Sequence, residues 1–351
     1  MRADQAVRHN AAVGAVLGLA VGDTLSRLNA PPPAVCADVI DLPSWGLVAE
    51  QSFVCAEAAV KGKPLDIDSS ATGIIASAIS LASSDTPAPL LADPSAVLVC
   101  RLLRDALAGE LDIDAPTATC EATKTAFDAI ASTSSFTEAV TPVAEHSPEH
   151  LALTASIAGS KWGPASIPAT WATNVHGPVA GRTYGLRQLR RLAERLTGFD
   201  APVPPEPRRS LGPREVAPGL WLSNLHAVPR FLAQHPQGAV ISLCPTTGAF
   251  DNHKLRREFA LLDASGRAAN PLLGAVVDDI LATINAFVAA ARPVLVHCHH
   301  GASRTGLVLR AHLIAELGLS FDDATTEAQA LWPKTSTWNH AFAAELQRRA
   351  S

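Results

Sequence analysis

The sequence predicts two domains: an all-α N-terminal domain and a C-terminal α/β domain whose mainly parallel sheet is flanked by helices. Three observations predict this. The chain has 351 residues, more than one hydrophobic core usually serves. Residues 201–218 carry prolines at 202, 204, 205, 207, 213 and 218. Such a segment cannot continue a helix or sit inside a sheet, and it favours an extended spacer. The hydrophobic pattern also changes across it, from long helical stretches to short apolar runs that alternate with helical periods. The predicted boundaries are 1–198 for the helical domain, 199–218 for the Pro-rich linker and 219–351 for the α/β domain.

In the first domain, Ala/Leu/Ile/Val-rich stretches at 11–22, 69–83, 94–109, 116–132 and 150–161 read as helices separated by Pro, Gly or Asp-rich breaks. Residues 183–196 read as its last helix, with Gly198 as the stop signal. In the second domain, 220–222 and 239–243 read as strands. Leu272, Leu273, Val276, Ile280, Ile284, Phe287 and Val288 recur at helical spacing. Residues 293–297 form a short buried strand and 306–317 a helix, and Ser320-Phe321-Asp322-Asp323 opens another with a capping box. Strands alternating with helices imply a parallel sheet covered by helices.

Composition narrows the function. Hydrophobic residues make up 48% and charged residues 17%, which excludes wholesale disorder. The formal net charge of -5 offers no basic face, so no nucleic-acid partner is expected. The run Arg187, Arg190, Arg191 and Arg195, with Glu194 interleaved, reads as a solvated helix face. Cysteines at 36, 55, 100, 120, 244 and 298 are scattered, mostly in apolar runs, and read as buried thiols of a reducing compartment. Arg2 and Arg8 precede an uncharged stretch at 10–21, but no convincing cleavage site follows before Asp23. Residues 69–84 are too few and too serine-rich to span a bilayer. The expectation is a cytoplasmic protein with no membrane partner.

The chemistry concentrates in Val294-Leu295-Val296-His297-Cys298-His299-His300-Gly301-Ala302-Ser303-Arg304-Thr305-Gly306. A buried strand ends at a cysteine, a short loop with a glycine follows, and an arginine stands where a helix begins. Successive N–H groups of residues 299–304 can converge on one anion, and the helix N-terminus adds positive potential. The Arg304 guanidinium can grip two phosphate oxygens. His299, His300, Gly301, Ala302, Ser303 and Arg304 are thus the candidate phosphate-binding residues. A helix N-terminus and a neighbouring cation favour a thiolate over a thiol, which makes Cys298 the candidate nucleophile and a phosphocysteine the candidate intermediate. The Thr305 hydroxyl can stabilise the thiolate as it leaves. The rival reading is a metal site, because His297-Cys298-His299-His300 is dense in ligands. Consecutive residues on an extended strand point to opposite faces, however, and no partner pair with zinc-site spacing stands nearby.

On these residues, His297-Cys298-x5-Arg304-Thr305, the chain resembles the protein-tyrosine and dual-specificity phosphatases. The resemblance extends over 218–347. Pro218-Gly219-Leu220-Trp221-Leu222-Ser223 looks like the family's opening strand, and Trp332-Pro333 with Trp338-Asn339-His340-Ala341-Phe342 looks like its closing helix. The resemblance implies a protein phosphatase acting on a phosphorylated protein or a small phosphomonoester, without a cofactor. It implies His297 in a supporting role and an aspartate general acid on a loop ahead of the cysteine. Asp263 stands 35 residues before Cys298 and fits that loop. Asp278 and Asp279 fall inside a predicted helix, and Asp251 lies further away before a basic helix start.

The N-terminal region is similar to the ADP-ribosylglycohydrolases over 8–198. Gly14-Ala15-Val16-Leu17-Gly18-Leu19-Ala20-Val21-Gly22-Asp23 matches that family's opening helix. Ile157-Ala158-Gly159-Ser160-Lys161-Trp162-Gly163 followed by Ile167-Pro168-Ala169-Thr170-Trp171 matches its closing motif. The family is all-helical and binds two magnesium ions through acidic clusters. This chain has Ala49-Glu50-Gln51-Ser52 at the first cluster and His146-Ser147-Pro148-Glu149 near the second. Gln, His and Pro do not supply the hard oxygen set magnesium needs, so the expected domain is a degenerate one with its magnesium site lost and no cofactor. It would take a nucleotide-like ligand, position substrates or brace its neighbour. The alternative reading of the whole chain is a module that recognises ADP-ribose, with the phosphatase domain secondary or silent.

Overall fold

The computed structural model describes residues 3–28, 30–61, 121–198, 212–246, 250–266 and 269–351. They fall into two compact units: Met1–Pro32 with Asp41–Ala201, and Pro33–Ile40 with Pro202–Ser351.

The first unit contains α1 (Ala3–Leu25), α2 (Leu47–Val60), α3 (Glu121–Ala131), α4 (Phe136–Val140), α5 (Pro148–Trp162) and α6 (Ala169–Asn174). Small residues let α1 and α5 meet backbone to backbone. A Cβ on Gly14 or Gly18 would overlap the carbonyls of Gly159 or Ala155, and one on Gly22 would sit 2.6 Å from the Leu151 carbonyl oxygen. The helices expected at 69–83 and 94–109, and the start of the one at 116–132, lie outside the described residues.

The unit is not all-α. Strands β1 (His176–Val179) and β2 (Arg182–Gly185) form an antiparallel hairpin. The two residues between them, Ala180 (φ 49) and Gly181 (φ 77), both take positive φ, the backbone of a primed two-residue turn. The last helix, α7 (Leu186–Leu196), therefore starts after the hairpin and not at 183. The Gln188 side chain accepts from Gly185 N at 3.1 Å and closes its N-terminus.

The second unit is built on a sheet in the order β3-β4-β7-β5-β6, made from β3 (Arg214–Ala217), β4 (Leu220–Asn224), β5 (Ala239–Ser242), β6 (Arg256–Glu258) and β7 (Val294–Cys298). Only β3 runs antiparallel, against β4, so the sheet is mainly parallel. Its helices are α8 (Val228–Gln234), α9 (Leu273–Ala289), α10 (Ser303–Leu317), α11 (Phe321–Leu331) and α12 (His340–Arg349). Ser320 caps α11, accepting from Asp323 N at 3.2 Å.

Two strands correct the sequence reading. Residues 214–217, expected in the linker, form an edge strand. An edge strand pairs on one side only, so prolines at both ends do not prevent it. Residues 256–258, expected at a basic helix start, form the opposite edge with all three side chains buried. Partners make that burial tolerable. Arg256 Nη1 donates to Glu258 Oε2 at 2.7 Å. Arg257 donates to the carbonyls of Asp38 (2.6 Å), Arg256 (3.0 Å) and Cys36 (3.4 Å), and its guanidinium lies 5.4 Å from the Phe287 ring centroid. Those contacts explain why Pro33–Ile40 belongs to this unit. Among the cysteines, Cys244 and Cys298 are buried as expected, whereas Cys36 and Cys55 are only partly so. No helix among the described residues is long and apolar enough to cross a membrane.

Candidate active site

Strand β7 occupies the middle of the sheet, and each of its five residues is buried. That position suits a continuous Val-Leu-Val run. It delivers His297 and Cys298 to the carboxyl end of the sheet, with Asn224 beside Cys298 and Ser242 beside His297. Cys298 is 2% exposed. The Thr305 hydroxyl, in the first turn of α10, donates to its Sγ at 3.0 Å.

The loop between them turns its carbonyls outward. His299 O accepts from Leu225 N (3.4 Å), and Ala302 O accepts from Gly306 N (2.9 Å) and Ser336 N (3.4 Å). Gly301 O accepts from Trp332 Nε1 at 2.6 Å. No cis peptide bond occurs among the described residues, so each N–H of this loop points opposite to the carbonyl before it. The N–H groups of His300, Ala302 and Ser303 consequently face the interior of the loop. Gly301 is required for two reasons. Its φ is +68°, and a Cβ there would sit 2.9 Å from Ser223 O and 3.1 Å from Asn224 N.

Arg304 is the second residue of α10, with its side chain 12% exposed. Its Nη1 donates to Leu243 O at 3.1 Å and Leu261 O at 3.2 Å. Its Nε is buried and has no hydrogen-bond partner among the described residues. A buried donor of this kind calls for an acceptor, and it lies 3.8 Å from Asp263 Oδ2. Asp263 Oδ1 accepts from Ser303 Oγ at 2.7 Å and from Asn339 Nδ2 at 3.3 Å.

His297 is fully buried, 2.8 Å from Ser242 Oγ through Nε2 and edge-on to Phe250. Burial first, and then the charges of Arg256 and Arg304, push its pKa down to about 3, so it is neutral at working pH. His299 and His300 stack edge to face at 4.6 Å, with His300 exposed. Among the described residues, no three His, Cys, Asp or Glu side chains gather as metal ligands.

The structure thus brings Cys298, Thr305, Ser303, Arg304 and Asp263 together around the 299–304 loop. The other aspartates stand elsewhere. Asp251 accepts from Thr246 Oγ1 at 2.6 Å beside Arg256, and Asp278 pairs with Arg349 at 2.7 Å. Asp279 is half-buried on α9, where burial and then Asp278 raise its pKa. Sequence reasoning missed Asn270 and treated Asn339 only as part of a closing helix. Asn339 was legible as an N-cap, but nothing in the sequence links it to Asp263.

In the first unit, the buried Ser52 spends its hydroxyl on Val48 O at 2.7 Å. Glu149 accepts from Ser147 Oγ at 2.6 Å, which holds its carboxyl below the usual range. Asp23, 1% exposed, accepts from Ala49 N at 2.7 Å and so caps α2.

No protein-family model and no curated protein matches the chain. Among solved structures it is similar to human DUSP28, at 25% identity over 43% of this chain and 97% of that one, with a TM-score of 0.35. It is similar to DUSP15 at 20% identity over 40% and 87% of the two chains, TM-score 0.36. It is also similar to Tk-PTP in its active form, at 19% identity over 39% and 97%, TM-score 0.32. These structural neighbours are dual-specificity and protein-tyrosine phosphatases, and the likeness spans about 40% of the chain.

Proposed function

We propose that the second unit is a cysteine-dependent phosphomonoester hydrolase working through a phosphocysteine. The observation that carries this reading is the setting of Cys298: a 299–304 loop whose His299, Gly301 and Ala302 carbonyls are all held by surrounding donors, and an Arg304 Nε that is buried without a hydrogen-bond partner among the described residues. The substrate's phosphoryl group binds the loop amides and Arg304. Cys298 Sγ, as thiolate, attacks phosphorus; the S–P bond forms as the P–O bond breaks. Asp263 protonates the departing oxygen. Water then attacks phosphorus and returns a proton to Asp263, and the S–P bond breaks to release phosphate. The Thr305 hydroxyl stabilises the thiolate that leaves. His297 stays neutral and braces the strand end through Ser242. No step calls on a metal or cofactor.

The substrate class is a phosphorylated protein or small phosphomonoester. The first unit is read, on the sequence motifs of its opening and closing helices, as a degenerate ADP-ribosylglycohydrolase-like domain whose candidate ligand is nucleotide-like. The test is hydrolysis of an aryl phosphate by wild type and Cys298→Ser. Serine fits the space but stays protonated, so turnover should vanish while vanadate still binds. Turnover that survives the substitution overturns the nucleophile assignment.

A further inference from the structure

The segment that carries Asp263 is held at each of its residues. Arg304 Nη1 donates to Leu261 O at 3.2 Å. Asn270, 7% exposed, grips Leu262 from both sides, accepting from its N–H at 3.0 Å and donating to its carbonyl at 2.9 Å. Asn339 Nδ2 donates to both Asp263 Oδ1 and Ala264 O, each at 3.3 Å. The Oδ1 of the same asparagine accepts from Phe342 N at 3.3 Å and caps α12.

The amide orientation of Asn339 follows from its partners. A carboxylate and a carbonyl oxygen need the NH2 group, and a backbone N–H needs the oxygen. At 2% exposure the side chain is out of reach of bulk solvent. One residue therefore joins the start of a packed helix to the oxygen that also receives the Ser303 hydroxyl. The same C-terminal segment braces the cradle, where Trp332 Nε1 holds Gly301 O and Ser336 N holds Ala302 O.

We infer that Asn339 is a positioning residue for the general acid: its amide donor fixes the Asp263 carboxyl beside Arg304 so that proton delivery to the leaving oxygen needs no search. This rests on the reading of Asp263 as the acid. Asparagine is the suitable side chain here. Serine or aspartate would cap the helix equally well, but neither presents an NH2 group to two acceptors.

The experiment compares kcat and KM for phenyl phosphate and p-nitrophenyl phosphate in the full chain. Its variants are Asn339→Ser, Asn339→Asp, Asp263→Asn and the double variant Asp263→Asn/Asn339→Ser. Both position-339 replacements keep a cap acceptor, so α12 should remain folded. Losing a general acid altogether costs about 10²–10⁴-fold. Asn339→Ser should lose about tenfold or more in kcat with phenyl phosphate, little with nitrophenyl phosphate and nothing in KM. In the Asp263→Asn background the serine should cost nothing further, because the two residues act through one group. Equal losses with both substrates, an additive loss in the double variant, or unfolding of both position-339 variants would show a merely structural role and overturn the inference. If Asp263→Asn itself shows no leaving-group dependence, the acid assignment falls and the inference with it, whereas loss of turnover in Cys298→Ser would still stand.

Discussion

Replacing Arg304 with lysine keeps the charge and removes the fork. In the structure that fork has two tasks. Nη1 ties Leu243 O and Leu261 O, at 3.1 and 3.2 Å, and the buried Nε, 3.8 Å from Asp263 Oδ2, has no hydrogen-bond partner among the described residues. A lysine has one nitrogen, which cannot hold two carbonyls and also reach the phosphoryl group. Removing one preorganised donor from a developing anion costs about 2.7–4 kcal/mol, or about 10²–10³ in kcat. The stability cost is separate. Each buried carbonyl left short of a donor costs about 1–3 kcal/mol, and in a unit of this size each kcal/mol lowers Tm by about 2–4 °C. The assay is kcat/KM for nitrophenyl phosphate, vanadate inhibition and a thermal melt on the same preparation. Arg304→Lys should lose at least two orders of magnitude in kcat/KM, bind vanadate weakly and melt several degrees early. A variant that melts early but keeps kcat/KM near wild type would show that Arg304 is only a strut between β5 and the 261–264 segment.

Asp263→Asn should lower kcat for phenyl phosphate far more than for nitrophenyl phosphate, since an acid matters most when the leaving oxygen is basic; equal losses would make Asp263 structural. Gly301→Ala should abolish activity and destabilise the unit, because φ +68° costs an alanine about 1–2 kcal/mol before its Cβ meets Ser223 O at 2.9 Å. Normal activity in that variant would mean the loop does not cradle phosphate in this conformation. His297, with its folded pKa near 3, binds fewer protons folded than unfolded between that value and its ordinary 6.5. Stability should therefore fall as pH drops below 6.5, by about 1.4 kcal/mol per unit, or about 2 kcal/mol by pH 5. Urea unfolding of wild type and His297→Gln at pH 7.5, 6.5 and 5.0 isolates this group, and parallel profiles for the two would contradict its burial as a neutral ring.

What lies in contiguous stretches was legible before any fold was known. A strand ending in Cys298, a glycine turn, Arg304 and a helix start occupy one short run. Each step is dictated locally by apolar continuity, the demand for positive φ at Gly301, and the first turn of α10. The alternation of strands and helices was legible for the same reason, since the periods of 2 and 3.6 are written residue by residue. The rest came from contacts between distant parts of the chain. The spacing to Cys298 and the helix predicted around Asp278 favour Asp263, but its bonds to Ser303 and Asn339, which span 40 and 76 positions, are written nowhere in the sequence. The segment Arg256–Glu258 reads as a basic helix start; its burial in a strand rests on the Arg256–Glu258 pair, on Thr246 and on the carbonyls of Cys36 and Asp38. The membership of Pro33–Ile40 in the second unit has the same origin. A buried charge is stable only with partners in place, and partners brought from distant parts of the chain leave no periodicity in the sequence to announce them.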